Sequence, residues 1–433
     1  MSRVLISFLG TGNADGPGQY RTATYKINER DSGFTSKFVA AAIHKKYEVD
    51  RMILIGTMRS MWDEVYGYFA ENNGGVDDEV HTQIFTECQS ATSQTEIGEI
   101  CHQAEIERVL GNRSKVITIH YGLTQEEIEK NTEIILGLEQ FLDNGDELIV
   151  DITHSFRSLP MYLMNLLVYL QNVSEKKLKI KHICYGMLDV ADELGYAPII
   201  ELKNILKVND WISGAYTFKR FGNADKIVEL LKNADAGLIQ RLDAFSKTKN
   251  LNHLAELERQ SQELHRLLDD KNLPNMARMI ISPVVRDFIT RLTVDPNSVH
   301  KHSEFQYKLA LWQRNNHNYL AAAIALTESI ITRIAEIFQN TPSIANILIY
   351  DNITINDVYD HDVRDKIKGL MWDEQYKVRR WAILYTDIAR NVRNPLAHCT
   401  NSRFTPSKMI EKLAEYKRQY DINVEKDKEE NLC

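Results

Sequence analysis

The chain has 433 residues, more than one hydrophobic core usually serves, so two domains or a domain with a helical extension are expected. With 43% hydrophobic residues both parts can bury a core, and the formal net charge of -8 excludes wholesale attraction to nucleic acid or an anionic membrane, leaving only local basic patches. Five cysteines (Cys88, Cys101, Cys184, Cys399, Cys433) stand without a CxxC pair, which fits neither a disulfide framework nor a zinc ribbon.

The first run, Arg3-Val4-Leu5-Ile6-Ser7-Phe8-Leu9, reads as a strand and lacks the longer apolar core and cleavage signal of a secretory leader. The longest apolar stretch, Met161–Leu170, carries Asn165 and two tyrosines and is too short to span a bilayer. A soluble, cytoplasmic protein without a membrane partner is expected. Short apolar runs rich in Val and Ile recur at Val4–Leu9, Met52–Gly56, Val116–His120, Leu148–Ile152, Ile180–Tyr185 and Pro198–Leu202. Helical periodicity fills the gaps, most clearly at Phe34–Lys46, Ile97–Leu110, Glu126–Leu142 and Met161–Leu170. Alternating strands and helices imply crossover units, so residues 1–205 are expected to form an α/β Rossmann-like domain with a parallel-rich sheet buried on both faces.

Beyond Leu202 the strand signal nearly stops. Helical patterns follow at Ala224–Lys232, Ala236–Phe245 and Leu251–Leu268, and stronger ones at Leu320, Ala323, Ile324, Thr327, Ile330, Ile331, Ile334 and Phe338. Val378, Trp381, Ala382, Tyr385, Ile388, Ala389 and Val392 repeat in the same way, with a basic patch of Lys377, Arg379, Arg380, Arg390 and Arg393 alongside. These runs predict a connecting helical region at 206–295 and an all-α C-terminal domain at 296–433, its charged end Glu425–Glu430 frayed.

In a doubly wound sheet, ligands bind beyond the carboxyl ends of the strands, where helix N-termini and loops present unpaired N–H groups. Three loops there carry suitable chemistry. Gly10-Thr11-Gly12-Asn13 allows close backbone approach but departs from a dinucleotide fingerprint, with Asp15 where a third glycine belongs. Gly56-Thr57-Met58-Arg59-Ser60-Met61-Trp62 is the second, and Thr153-His154-Ser155-Phe156-Arg157-Ser158 the third, leading to Pro160 in the first turn of a helix. The plainer alternative is that the hydroxyls merely cap the chain and Arg157 meets a surface carboxylate.

Asp151-Ile152-Thr153-His154-Ser155-Phe156-Arg157-Ser158-Leu159-Pro160, taken with those glycine and hydroxyl loops and with Tyr185-Gly186-Met187, resembles the CARF domain of CRISPR-associated ancillary proteins from type III systems. The resemblance covers about residues 1–205. It implies a homodimeric sensor binding a cyclic oligoadenylate across its two-fold axis, with Gly10, Thr11, Gly12, Asn13, Thr57, Arg59, Ser60, Thr153, His154, Ser155, Arg157, Tyr185, Gly186 and Met187 as ligand contacts. The residues do not set the ring size; the family favours cyclic tetra-adenylate.

Near the C-terminus, Arg393-Asn394-Pro395-Leu396-Ala397-His398 resembles the catalytic element of HEPN ribonucleases, an arginine followed after about four residues by histidine. That family assembles one composite site from two such elements across a dimer, and CARF followed by HEPN resembles the CRISPR ribonucleases activated by cyclic oligoadenylate. Pro395 departs from the pattern. Either Asn394 caps a new helix with Pro395 in its first turn, or one long helix kinks there.

The chemistry asks little of the protein. RNA carries its own nucleophile, the 2′-hydroxyl, so a metal-independent endoribonuclease needs Arg393 to shield developing phosphate charge and His398 to move a proton or to orient the hydroxyl. Alternatively His398 is a satisfied core histidine and Arg393 pairs with Glu328 or Asp387. His361, between Asp360 and Asp362, reads as part of a solvated loop rather than a metal ligand. Two further functions stay open: a ligand-controlled regulator that binds RNA or protein without cutting, and a ring nuclease degrading the cyclic ligand in the N-terminal domain.

Overall fold

The computed structural model describes residues 2–12, 19–111, 113–154, 158–232, 236–267, 273–351 and 353–432. The chain divides into two compact units, Met1–Asn209 and Asp210–Cys433.

The first unit is built on one sheet of eight strands: β1 (Arg3–Leu9), β2 (Ala23–Lys26), β3 (Phe34–Ser36), β4 (Arg51–Gly56), β5 (Lys115–Thr118), β6 (Glu147–Asp151), β7 (Lys179–Gly186) and β8 (Ala197–Glu201). Their order is β3-β2-β8-β7-β6-β1-β4-β5. From β6 to β5 all neighbours run parallel, as do β6 and β7, whereas β8 is antiparallel to β7. Chain order therefore runs outward through β4 and β5 on one side of β1, then returns to β6 and β7 on the other. The reversal lies between β1 and β6.

Among the described residues, seven α-helices flank this sheet: α1 (Val39–Tyr47), α2 (Trp62–Asn72), α3 (Asp78–Ser90), α4 (Gln103–Val109), α5 (Gln125–Leu136), α6 (Leu159–Asn172) and the single turn α7 (Ala191–Leu194). Strand side chains alternate between faces, and the two cores follow that alternation. Leu5, Leu9, Met52 and Leu54 pack with α1 to α4, while Val4, Ile6, Phe8, Ile53 and Ile55 pack with α5 and α6.

Two expected helices begin later than their periodicity indicated. Phe34–Ser36 is strand, paired antiparallel to β2 with Tyr25 opposite Phe34 and the Thr24 and Thr35 hydroxyls 2.9 Å apart, so cross-strand pairing overrides the helical pattern. In the 97–110 segment regular helix starts only at Gln103, because His102 adopts φ 57, outside the helical region.

The second unit is helical. It comprises most of α8 (Asn204–Phe221), then α9 (Asp225–Leu230), α10 (Ala236–Asn250), α11 (Leu254–Leu267), α12 (Asn275–Leu292), α13 (Lys301–Asn315), α14 (Tyr319–Asn340), α15 (Pro342–Tyr350), α16 (His361–Leu370), α17 (Arg379–Ile388), α18 (Asn394–Ala397) and α19 (Pro406–Glu429). One core gathers Phe218, Phe245, Val285, Phe288, Leu309 and Trp312; the other gathers Ile330, Ile334, Phe338, Trp381, Ile388 and Tyr420. α13 contributes to both.

The charged end is not frayed. α19 runs through Glu425–Glu429, and Asp427 is fully buried: its carboxylate accepts from Trp381 Nε1 at 3.0 Å, Arg380 Nη2 at 2.6 Å and Arg333 Nε at 3.1 Å. His361 is solvated but opens α16 instead of lying in a loop. Among the described residues no helix is long and apolar enough to cross a membrane.

Candidate functional site

Parallel registers fix the N-terminal site. Leu9 stands opposite Gly56, Ser7 opposite Asp151, and Asp151 opposite Cys184, so β1, β4, β6 and β7 end along the same sheet edge. A cavity of about 300 Å³ opens there, lined by Gly10, Thr11, Gly12, Thr57, Ser60 and His154 among others. A second, of about 540 Å³, shares Gly10, Gly12 and His154 and continues along Tyr20–Tyr25 and Lys37. Both sit where the strand order reverses, the crevice in which open α/β sheets hold ligands.

Beneath them lies a buried polar chain. The Ser7 hydroxyl donates to Asp151 at 2.6 Å, and the Thr153 backbone N–H and hydroxyl donate to its other oxygen at 2.9 and 2.5 Å. Thr153 Oγ1 in turn accepts from the Gly186 N–H at 2.7 Å, tying the ends of β6 and β7 together. Burial pushes the Asp151 carboxyl above its ordinary range, opposed by the adjacent His154 and by these hydrogen bonds. Burial also lowers the His154 ring below its ordinary value, with Asp151 acting the other way. His154 Nε2 is buried and has no hydrogen-bond partner among the described residues. Burial of this kind disfavours the charged imidazolium.

The sequence-predicted contacts divide into three groups. Gly10, Thr11, Gly12, Thr57, Ser60 and His154 line the cavities. Of these, Gly12 has φ +59, and a Cβ there would lie 2.3 Å from Met61 and 2.6 Å from the Tyr20 ring, so only glycine fits. Ser60 is a fastener: its buried hydroxyl donates to the Leu9 carbonyl at 2.8 Å and accepts from the Thr57 N–H at 3.0 Å. Thr153, Gly186, Tyr185 and Met187 sit at the same strand ends, and Arg59 is exposed, but none of these five lines either cavity. Asn13, Ser155 and Arg157 lie outside the described residues. Sequence reasoning missed Tyr20, Lys37 and Asp63. Tyr20 donates to Asp63 at 2.8 Å, and burial raises that carboxyl. No local motif marks them, since they meet only in the folded sheet.

In the second unit the helix of Arg379–Ile388 continues through a π turn, Ala389–Arg393, into Asn394–Ala397. Asn394 does not cap a new helix: Arg393 keeps helical angles of φ -64 and ψ -52, and no side chain caps the following turn. Of the two conformations open to Pro395, the structure adopts the uninterrupted one, and the wider turn accommodates a residue without an N–H. Arg393 is half-buried, whereas Asn394 and His398 are exposed. The Arg393 guanidinium donates to Asn394 Oδ1 at 2.9 Å and pairs with neither Glu328 nor Asp387; Glu328 is held by Arg364 at 2.5 Å.

The predicted basic patch is smaller than its sequence. Arg379 meets Glu374 at 2.7 Å, and Arg380 meets Asp427 and Glu430 at 2.6 and 2.9 Å. Arg390 and Arg393 have no carboxylate partner among the described residues, where no group of three or more His, Cys, Asp or Glu is arranged to hold a metal ion. A separate cavity of about 300 Å³, lined by Glu258, Leu292, Lys301 and Phe305 among others, contains none of the predicted residues.

Comparison with known proteins bears on both units. The CARF-domain family of the CRISPR system endoribonuclease Csx1 matches residues 4–189, and the second-domain family of CRISPR-associated protein MJ1674 matches residues 207–298. The CRISPR-associated protein MJ1674 of Methanocaldococcus jannaschii is 31% identical to this chain, over 95% of it and 65% of the relative. The chain thus spans slightly less than two thirds of that relative's length.

Proposed function

We propose that this chain, a CRISPR-associated CARF protein, is a cyclic oligoadenylate-activated endoribonuclease that cuts single-stranded RNA without a metal. The reading assigns ligand sensing to residues 1–205, a connecting role to 206–295 and cleavage to 296–433. One observation carries it: Arg393 and His398 lie on a single short segment, with the imidazole exposed and the guanidinium not neutralised by any carboxylate among the described residues. A core role for the pair is thereby disfavoured.

Arg393 stays protonated and binds phosphate as a fork, and Asn394, 2.9 Å from it, sets the orientation of that fork. His398 moves the proton of the 2′-hydroxyl or of the leaving 5′-oxygen. The products are a 2′,3′-cyclic phosphate and a 5′-hydroxyl. Five positions at roughly 100° each splay the two side chains by about 140° around one helix, so a complete site draws on a second subunit. A cytoplasmic homodimer supplies it. Ligand binding, with cyclic tetra-adenylate as the favoured ring, biases the dimer toward the arrangement in which two segments face each other.

The test incubates labelled single-stranded RNA with the protein, a chelator and each cyclic oligoadenylate in turn. One ring is expected to switch cutting on, and His398→Ala to abolish it. Cleavage no faster at saturating ligand than without ligand sinks the reading.

A further inference from the structure

We propose that Arg403 is a second phosphate-binding guanidinium of the RNA site, tethered to the π turn that carries Arg393. The inference rests on the ribonuclease reading above and names a residue that the arginine–histidine motif does not contain.

Asn391 sits in the π turn two residues before Arg393 and is only 5% exposed. Both ends of its amide are committed: Nδ2 donates to the Tyr416 hydroxyl at 2.9 Å, and Oδ1 accepts from Arg403 Nη2 at 2.7 Å. Tyr416 donates onward to the Asp387 carbonyl at 3.3 Å, which locks the amide between α17 and α19. Arg403 is thus fastened to the turn from a loop ten positions beyond Arg393 in the chain. Its guanidinium also lies over the Phe404 ring, 4.9 Å from the centroid. Two contacts fix its plane.

A structural strut would be finished at that point, but Arg403 is not. One of its five donors is used, the residue is exposed, and no carboxylate pairs with it among the described residues. Of the neighbouring arginines on α17, Arg379 and Arg380 each meet an acid. In a chain of net charge -8, Arg390, Arg393 and Arg403 left without acids around one turn make a local positive field. A pre-oriented fork with free donors suits phosphate oxygens, and a second fork tethered to the turn that carries the first suits another phosphate of the same strand. Arg403 touches the backbone and not the bases, so it adds affinity without sequence preference.

The experiment measures binding of a labelled single-stranded oligoribonucleotide to His398→Ala protein across salt concentrations, with and without Arg403→Ala or Arg403→Lys. Cleavage kinetics are run in parallel with His398 intact and the activating cyclic oligoadenylate present. Arg403→Ala should weaken binding about tenfold or more and reduce the salt slope by about 0.7, the share of one phosphate contact on a single strand. The cleavage defect should fall on KM far more than on kcat, and Arg403→Lys should restore the slope. A strut predicts the opposite: a lower melting temperature with the slope unchanged. That outcome, or Arg403→Ala matching an active parent, overturns the inference while leaving the ribonuclease reading intact. Failure of the parent to cut RNA with every ring overturns both.

Discussion

The two candidate sites are built on opposite plans. At the sheet edge, hydroxyls, a buried carboxylate and backbone amides satisfy one another around the cavity. Around the π turn, the half-buried Arg393 and the exposed Arg390, Arg403 and His398 have no carboxylate partner among the described residues. A pocket that must tell one small molecule from another gains from pre-organisation, because ordering costs are met in folding instead of binding. On the proposed reading, a site that handles a long polyanion, and only on a signal, gains from being incomplete in one subunit.

The largest effects should separate these plans. Arg393→Ala and His398→Ala are each expected to lower RNA cleavage by a factor of about 10² to 10⁴, while cyclic oligoadenylate binding, followed by calorimetry, stays within about twofold of the parent. Loss of ligand binding in either variant would mean the two plans are not separable by site. Next is Asp427→Ala, which strands the buried Arg333 and empties the acceptor of Trp381. It should destabilise the helical unit by about 3 to 5 kcal/mol in denaturant unfolding, whereas a frayed tail would tolerate the change.

In the sheet unit, Gly12→Ala forces a non-glycine residue into φ +59 against Met61 and Tyr20. The strain should cost roughly 1 to 3 kcal/mol, read as a lower melting temperature and weaker ligand binding with cleavage chemistry intact at saturating ligand. An unaltered affinity would place the ligand away from this loop.

Much of the sheet was legible because β1, β4 and β6 are nearly continuous apolar runs, and burial on both faces leaves little else for such runs to do, while β5, β7 and β8 are more mixed and show only as shorter Ile- and Val-bearing runs. The edge strands β2 and β3 are only four and three residues long, so nothing in β2 separates it from loop and β3 merges with the helical pattern that follows it. Trp62, Val65, Tyr66, Phe69 and Ala70 do carry helical spacing, a signal hidden beneath the motif that precedes them. The tail misled for a physical reason: Glu425–Glu430 looks like solvated charge, yet its anchor points, Arg333 and Trp381, lie 94 and 46 positions away from Asp427. Arg403 was invisible for the same reason, since its value comes from Asn391 twelve residues earlier. Local motifs show chemistry already assembled in the chain; they are silent on chemistry assembled by folding.

The smallest effect compares histidines of opposite setting. His154 in the sheet unit is held low by burial, but His302 on α13 is raised, first by its hydrogen bond to Glu258 at 2.9 Å, against burial, with the charges of Glu258 and Glu336 adding to the rise and Lys301 opposing it. Tyr359 also donates to Glu258, at 2.6 Å. A folded pKa above the unfolded value of about 6.5 means that the folded unit binds the proton more tightly. The stabilisation is therefore complete below about pH 6.5 and is lost as pH rises through the folded pKa. Melting temperatures of the helical unit should fall as pH rises above about 6.5 more steeply in the parent than in Glu258→Gln, where the partner charge is gone. Parallel slopes would show that the imidazole is neutral throughout and that Glu258 serves Tyr359 alone.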